Sequence, residues 1–373
     1  MLALVGLAGC GGSGDAPPVA RAAVVPTTTP SVPPPVHDPA TSSAIVWGLE
    51  RPARAARRLR AHPEVAAATP VGRGAILLRA GVGADGRVVQ RVKAGYAIPL
   101  DTLAVDPEGY AATLPEAQRE PFAKLRPGTA ILSTTSAALR ELGVGGSLRL
   151  ESGRARVVGV VADESLRNAE VALASRDRRV KPLRSTVMVL LREPVSPRQL
   201  IRWTERGAAA RIVDGAGPVG PARPAQLKMM FGEPAVGLPY GDDWVRLDPG
   251  FLRRYIVTRR VPILGSVTCH RKMIPPLRAA LGELARRGLS RLVNPGDYAG
   301  CHAPRRIQPR GQLSLHAWGV AIDLNAAANP FMGRSRQDRR LVRTMQRHGF
   351  TWGGEWPTRP DPMHFELRSL PRP

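Results

Sequence analysis

The chain is poor in several things, and each shortage removes a class of function. No apolar run in its 373 residues approaches the roughly 18 needed to cross a bilayer as a helix, so no transmembrane helix is expected. Lysine is scarce: only 5 of the 54 basic residues are Lys, the rest being Arg. Aromatic residues make up 5% of the chain, the Arg residues are scattered rather than clustered with them, and no nucleic-acid-binding motif stands out. The formal net charge of +24 therefore does not argue for nucleic acid. A GC-rich genome produces an Arg-, Ala-, Gly- and Pro-rich chain without selection for binding. An anionic cell envelope suits such a surface, and so does plain solvation with no specific partner. Cysteine is rarer still, with three residues: Cys10, Cys269 and Cys301.

What is present begins with MLALVGLAGC, an apolar segment ending in Leu7-Ala8-Gly9-Cys10. A small-residue stretch closing on Cys resembles a bacterial lipobox, in which the Cys thiol carries lipid. The segment is short and lacks the basic n-region of a signal peptide. Either the true start lies upstream, or a short apolar tail carries a stray Cys. The lipoprotein reading gains from residues 11–43, which are rich in Pro, Thr, Ser and Gly and cannot bury enough apolar surface to fold. They read as a semi-extended spacer. The expectation is an extracytoplasmic protein held to the membrane by a lipid on Cys10. In that compartment Cys269 and Cys301 favour a disulfide, with two buried free thiols as the alternative. Geometry decides, since bridging needs Cα atoms within about 7 Å.

The folded part is expected to be α+β in two domains, 44–213 and 227–373, joined by a Gly/Pro-rich linker at 214–226. In the first, LERPARAARRLRAH has helical spacing and GAILLRA reads as a strand. Ala130–Ser133 reads as a strand leading into a helix at Thr135–Leu142. SLRLESGRARVVGVV alternates across a Ser-Gly turn as a β-hairpin does. No catalytic constellation appears there. The run LGVGGSLRL…RVVGVVAD resembles the small extracytoplasmic domain of ABC-transporter permeases for lipoprotein release and macrolide export, which implies an adaptor or spacer domain. In the second domain, Pro275 and Pro276 open a helix with Leu277, Leu281 and Leu284 on one face, and Gly288 is placed to end it.

The chemistry lies near the C-terminus. In VAIDLN, Val320, Ile322 and Leu324 alternate with Ala321, Asp323 and Asn325, a strand with Asp323 on its polar face. His316 precedes it by seven residues, and a turn near Gly319 can bring it back over that face. In DPMHFEL, Met363, Phe365 and Leu367 alternate with Pro362, His364 and Glu366, a second strand with His364 on its polar face. If the two strands pair, His316, Asp323 and His364 meet. Two His and one carboxylate form a competent catalytic zinc set with one position open. Asp361, three residues before His364, is placed to serve as the general base. Glu366 lies two residues past His364 and is expected to support that ligand or the fold.

The pattern SxHxxGxAxD (Ser314, His316, Gly319, Ala321, Asp323), then GFTWGGEW from Gly349 to Trp356, then DPMHFE from Asp361 to Glu366, resembles the D-alanyl-D-alanine carboxypeptidase and L-alanyl-D-glutamate endopeptidase family of zinc peptidases. The family shares its fold with the hedgehog signalling domain. The resemblance implies an antiparallel sheet with helices over about residues 225–370, and one Zn2+ on His316, Asp323 and His364. It also implies Asp361 as base and peptidoglycan stem peptides as substrate. GDYAGCHAPRRI resembles the family's segment upstream of the first ligand and places a carbonyl-polarising Arg at Arg305, with Arg306 as the alternative. Ser314 is expected to hydrogen-bond near the site. Trp318, Trp352 and Trp356 are candidates to wall the cleft or to fill the core. His270, His302 and His348 match no ligand position and read as structural or surface. Three rivals remain: a silent module that binds wall peptide, a non-haem iron oxygenase, and a transporter-associated adaptor.

Overall fold

The computed structural model describes residues 42–178, 183–213, 224–240, 243–307, 312–356 and 359–368. Cys10 and nearly all of the expected spacer lie outside the described residues, as does most of the expected linker. Among the described residues no helix is long and apolar enough to cross a membrane. The fold is mixed α+β.

The front of the molecule is an eleven-stranded sheet built mainly from residues 42–213. Its longest strand, Val65–Val82, contains the GAILLRA segment and is irregular in register at several points. Those irregularities bend it, so it pairs with Val88–Arg91, Tyr96–Val105, Ser147–Leu150 and Leu183–Leu191 in turn. Six strands close on themselves: Val65–Val82, Ser147–Leu150, Gly153–Val161, Thr129–Ser133, Val171–Ala174 and Tyr96–Val105. The Ser-Gly hairpin forms as its alternation predicts, with Leu150 opposite Gly153. The strand Thr129–Ser133 leads into a helix at Thr134–Arg140, whose N-terminus is capped by the Ser133 side chain. The helix-spaced segment forms Pro52–Arg60, burying Ala55, Ala56 and Leu59.

The chain returns to this sheet after residue 223. Pro224–Phe231 is helical, so the last residues of the expected linker are structured. Lys228 is buried in that helix, with its ammonium 2.9 Å from Glu170. Arg140 completes the group, 2.7 Å from Glu170 and 2.5 Å from Glu233. Each buried charge thus faces an opposite one, which is the condition for tolerating it. Val236–Gly237 then adds a short strand to the edge at Tyr96–Ala97.

The back of the molecule has its own large core, drawn from residues 227–367. The helix Ile274–Arg286 buries Leu277, Leu281 and Leu284 as its spacing predicts, and Gly288 follows at φ +67°. It packs against the strand Ile256–Val261 and the helix Arg339–Arg347. The site is carried by a four-stranded antiparallel sheet in the order Tyr298–Gly300, Ala321–Leu324, His364–Leu367, Phe350–Trp352.

Candidate metal centre

The two strands read from alternation do pair, antiparallel, with Asp323 directly opposite His364 and Ala321 opposite Glu366. Directly opposed residues share a face, so Asp323 and His364 stand side by side. His316 arrives from the single helical turn Leu315–Trp318, whose N-terminus is capped by Ser314 Oγ accepting from the His316 N–H at 3.3 Å. Gly319 ends that turn at φ +66°. A Cβ there would lie 2.7 Å from the backbone nitrogen of His270, so both the turn and the close approach require glycine. These local devices bring one ligand-type atom each from His316, Asp323 and His364 within 4.8 Å of one another. All three residues are buried.

The partners of the other ring nitrogens decide what those atoms are. His316 Nδ1 lies 2.9 Å from the Cys301 carbonyl, which only accepts, so Nδ1 carries the proton and Nε2 is a bare lone pair. His364 Nε2 lies 3.0 Å from Glu366 Oε2 and donates to it, which leaves Nδ1 facing the cluster, bare when the ring is neutral. The two inward nitrogens are 3.2 Å apart. Asp323 sits 3.2 Å from His316 Nε2 and 3.0 Å from His364 Nδ1. With both rings neutral three acceptors face one another, and a cation among them, a proton or a metal, satisfies all three. Each histidine's outer nitrogen is held by a carbonyl or a carboxylate, the usual support of a metal-ligating imidazole. The donor set fits zinc.

The electrostatics agree. Burial opposes the Asp323 carboxylate, but when protons occupy the site hydrogen bonds from His316 and His364 outweigh it and hold its pKa below the usual range. Burial also disfavours a charged His364, yet Asp323 and Glu366 on either side push it up to about 10. The site therefore draws positive charge to the His364 ring, as a proton or as a metal.

Asp361 is fixed from both sides. Its N–H donates to the Gly353 carbonyl at 2.9 Å, and its own carbonyl accepts from the His364 N–H at 3.0 Å. Gly353, to which the sequence pattern assigned no role, permits this: a Cβ there would meet the Asp361 carbonyl at 2.7 Å. The GG pair in GFTWGGEW is the signal that marks it. Asp361 Oδ1 is buried without a hydrogen-bond partner among the described residues. Burial pushes this carboxyl up, partly offset by the charge of His364. Glu366 differs, since one oxygen takes His364 and the other accepts from Arg368 Nε.

Arg305 Nη2 lies 3.9 Å from Asp323 Oδ2, at the mouth of the cluster. Arg306 instead places its guanidinium over the Tyr240 ring, 5.1 Å from the centroid. Of the tryptophans, Trp356 stands by the site, its ring centroid 5.2 Å from that of His364. Trp318 is 5% exposed, donates to the Gly232 carbonyl and belongs to the core rather than to a cleft wall. Trp352 is likewise buried and donates to the Pro362 carbonyl, steadying the Asp361 segment. Cys269 and Cys301 form a disulfide with Cα atoms 5.4 Å apart, which fixes the carbonyl that orients His316. His270 is buried between Phe231 and Lys272, and His348 pairs with Glu283. Neither His270, His302 nor His348 supplies an atom to the cluster.

Residues 308–367 match the family model described as D-alanyl-D-alanine carboxypeptidase, a span that contains His316, Asp323, Asp361 and His364. The resemblance read from the motifs is thereby borne out over that segment. No curated protein matches the chain. Among solved structures the chain is similar to the periplasmic region of MacB from Actinobacillus actinomycetemcomitans, at 11% identity over 45% of this chain and 87% of that one, with a TM-score of 0.30. A score that low does not establish a shared fold.

Proposed function

We propose that the chain is a zinc-dependent peptidase that hydrolyses the stem peptides of peptidoglycan, as a D,D-carboxypeptidase or an L-Ala-D-Glu-type endopeptidase. The observation that carries the reading is the convergence of one ligand-type atom each from His316, Asp323 and His364, with Asp361, one oxygen of which is unpartnered among the described residues, tied by its backbone to His364. The family match over 308–367 supports the peptidase class. Zinc held by these three residues supplies Lewis acidity, lowering the pKa of water towards neutrality and polarising a carbonyl.

The chain's own residues do the rest. Asp361, held by its backbone to Gly353 and His364, accepts a proton from the attacking water and returns it to the leaving amine. Arg305 donates to the carbonyl oxygen as negative charge grows on it, and its place is set before the substrate arrives. Glu366 takes no proton, because both its oxygens are engaged; it fixes the His364 ring. Ser314 acts through the backbone of His316 by capping its turn. Trp356 flanks His364 at the substrate side.

The proposed location is the extracytoplasmic face of a bacterial envelope, with Cys10 lipidated. The LAGC segment and the Pro/Thr/Ser-rich stretch after it support this, as does a disulfide, which persists in oxidising compartments. Cys10→Ser in the full-length gene should release the protein from the membrane fraction, and unchanged membrane association would sink the anchor. The functional test is metal analysis of the purified protein with mass spectrometry of muropeptides after digestion. Zinc at one per chain and loss of a terminal residue, or scission inside the stem, supports the reading and identifies the bond. Intact muropeptides with zinc bound would overturn it.

A further inference from the structure

Arg305 does not reach the metal cluster alone. Its backbone forms a β-bridge with Trp244, flanked by the Val245 N–H donating to the Pro304 carbonyl at 3.0 Å and the Arg306 N–H donating to the Asp243 carbonyl at 2.8 Å. Hydrogen bonds on either side of the pair, and none within it, make this the closely spaced kind of antiparallel pair, with both side chains on one face. On the opposite face Val245 and Leu247 pack into the core. Trp244 is therefore turned to the same side as the guanidinium that lies 3.9 Å from Asp323, and it is 67% exposed. A large apolar side chain held rigidly at a site mouth, and left to water, has no packing role to explain it.

We propose that Trp244 is a substrate-binding residue: its indole forms a subsite for a neutral part of the substrate, an amide plane or a small apolar side chain, beside the bond that is cut. The inference rests on the peptidase reading above. Opposed Cβ atoms in such a pair stand about 4.5–5.5 Å apart, and an extended peptide advances about 3.4 Å per residue. The indole thus meets the substrate within about one or two residues of the carbonyl that Arg305 faces. Charge selects the class of group. The negative face of the ring repels an anion, which the neighbouring guanidinium takes instead, and that guanidinium repels a cation. What remains is a neutral residue such as alanine.

The test uses full-length, zinc-loaded protein and purified muropeptides. Trp244→Ala should raise KM by roughly three- to tenfold, the worth of one aromatic contact. Its kcat and zinc content should hold, and Trp244→Phe should restore most of the affinity. An unchanged KM in Trp244→Ala, with wild type active, overturns the proposal. So does a fall in kcat alone, which would mean that Trp244 only props Arg305. A second measurement stands apart from turnover: titrating the Asp361→Asn protein with muropeptides and following tryptophan fluorescence. Trp356 also reports from the site, so the signal should shrink, and the midpoint should move to higher muropeptide concentration, when Trp244→Ala is added in the same background; an amplitude and midpoint unchanged by Trp244→Ala overturn the proposal. If wild type fails to cleave, the peptidase reading falls, and the fluorescence titration alone decides whether Trp244 meets the peptide.

Discussion

Two carboxylates flank His364 in sequence, and their substitution should produce opposite phenotypes. Glu366 is 3% exposed, with His364 Nε2 on one oxygen at 3.0 Å and Arg368 Nε on the other. Glu366→Gln keeps the shape but leaves one acceptor oxygen for two donors, so one of the two bonds is lost and the other loses its charge. The consequence falls on His364, whose ring and tautomer are no longer held. Loss of such a supporting partner lowers metal affinity by about 10- to 100-fold, or about 1.4–2.7 kcal/mol. With zinc in excess, kcat should return close to the wild-type value. Asp361→Asn should behave the other way. Its Oδ1 holds nothing among the described residues, so zinc affinity should change little. Its proton acceptor is gone, and kcat should fall by about 10²–10⁴-fold at any zinc concentration. The assay is a zinc titration against a competing chelator, with muropeptide turnover measured at each occupancy. If Glu366→Gln abolishes turnover at full occupancy while Asp361→Asn leaves it intact, the assignment of the base is wrong.

Four further outcomes are expected. Replacing Cys269 and Cys301 together by Ser opens a loop with a sequence separation of 32, which should cost about 3–4 kcal/mol. Calorimetry should show a lower Tm with weaker zinc retention, since the Cys301 carbonyl orients His316, and an unaltered Tm would count against this. Burial, helped by Lys272 and Arg271, takes the His270 pKa from 6.5 to about 4 against the pull of the Phe231 carbonyl. The unfolded chain then binds the proton first, so stability is full above about pH 6.5 and falls by about 3 kcal/mol as pH drops to about 4. Urea unfolding across that window should be flatter in His270→Gln, and parallel profiles would refute the assignment. Lys228→Met removes one cation from buried Glu170 and should destabilise the fold by roughly 3 kcal/mol, at the low end for a broken buried pair because Arg140 remains. A Tm equal to wild type would show that the cluster contributes nothing net. Gly319→Ala combines a positive φ with a 2.7 Å backbone contact, so both stability and zinc binding should fall, and retention of either at the wild-type level contradicts the account of the turn.

Alternation of apolar and polar residues is a local signal, and where it was read it located real strands. Ala321–Leu324 and His364–Leu367 carry Asp323 and His364 on the face that the period of two assigns them. The same holds for the helix Ile274–Arg286 and the hairpin around Ser152 and Gly153, because face and turn chemistry depend on residues within a few positions of one another. The clustering of His316, Asp323 and His364 was therefore legible in the chain once the two strands were assumed to pair.

Long-range packing supplied what the pattern could not. Nothing local tells Trp318 from Trp356, yet one fills the core and the other stands beside His364. Arg305 and Arg306 are adjacent and chemically identical; the bridge to Trp244 turns one to the site and leaves the other over Tyr240. The expected break between two domains is crossed by Lys228 and Glu233, which join Arg140 and Glu170. Cys301 orients His316 through a backbone carbonyl, an atom that every residue has. Side-chain chemistry and periodicity are written in the order of residues, so they fix which groups are available and which face they occupy. Which of two equal neighbours meets a distant partner depends on how whole elements pack, a choice made by burial and hydrogen-bond satisfaction summed over residues far apart in the chain.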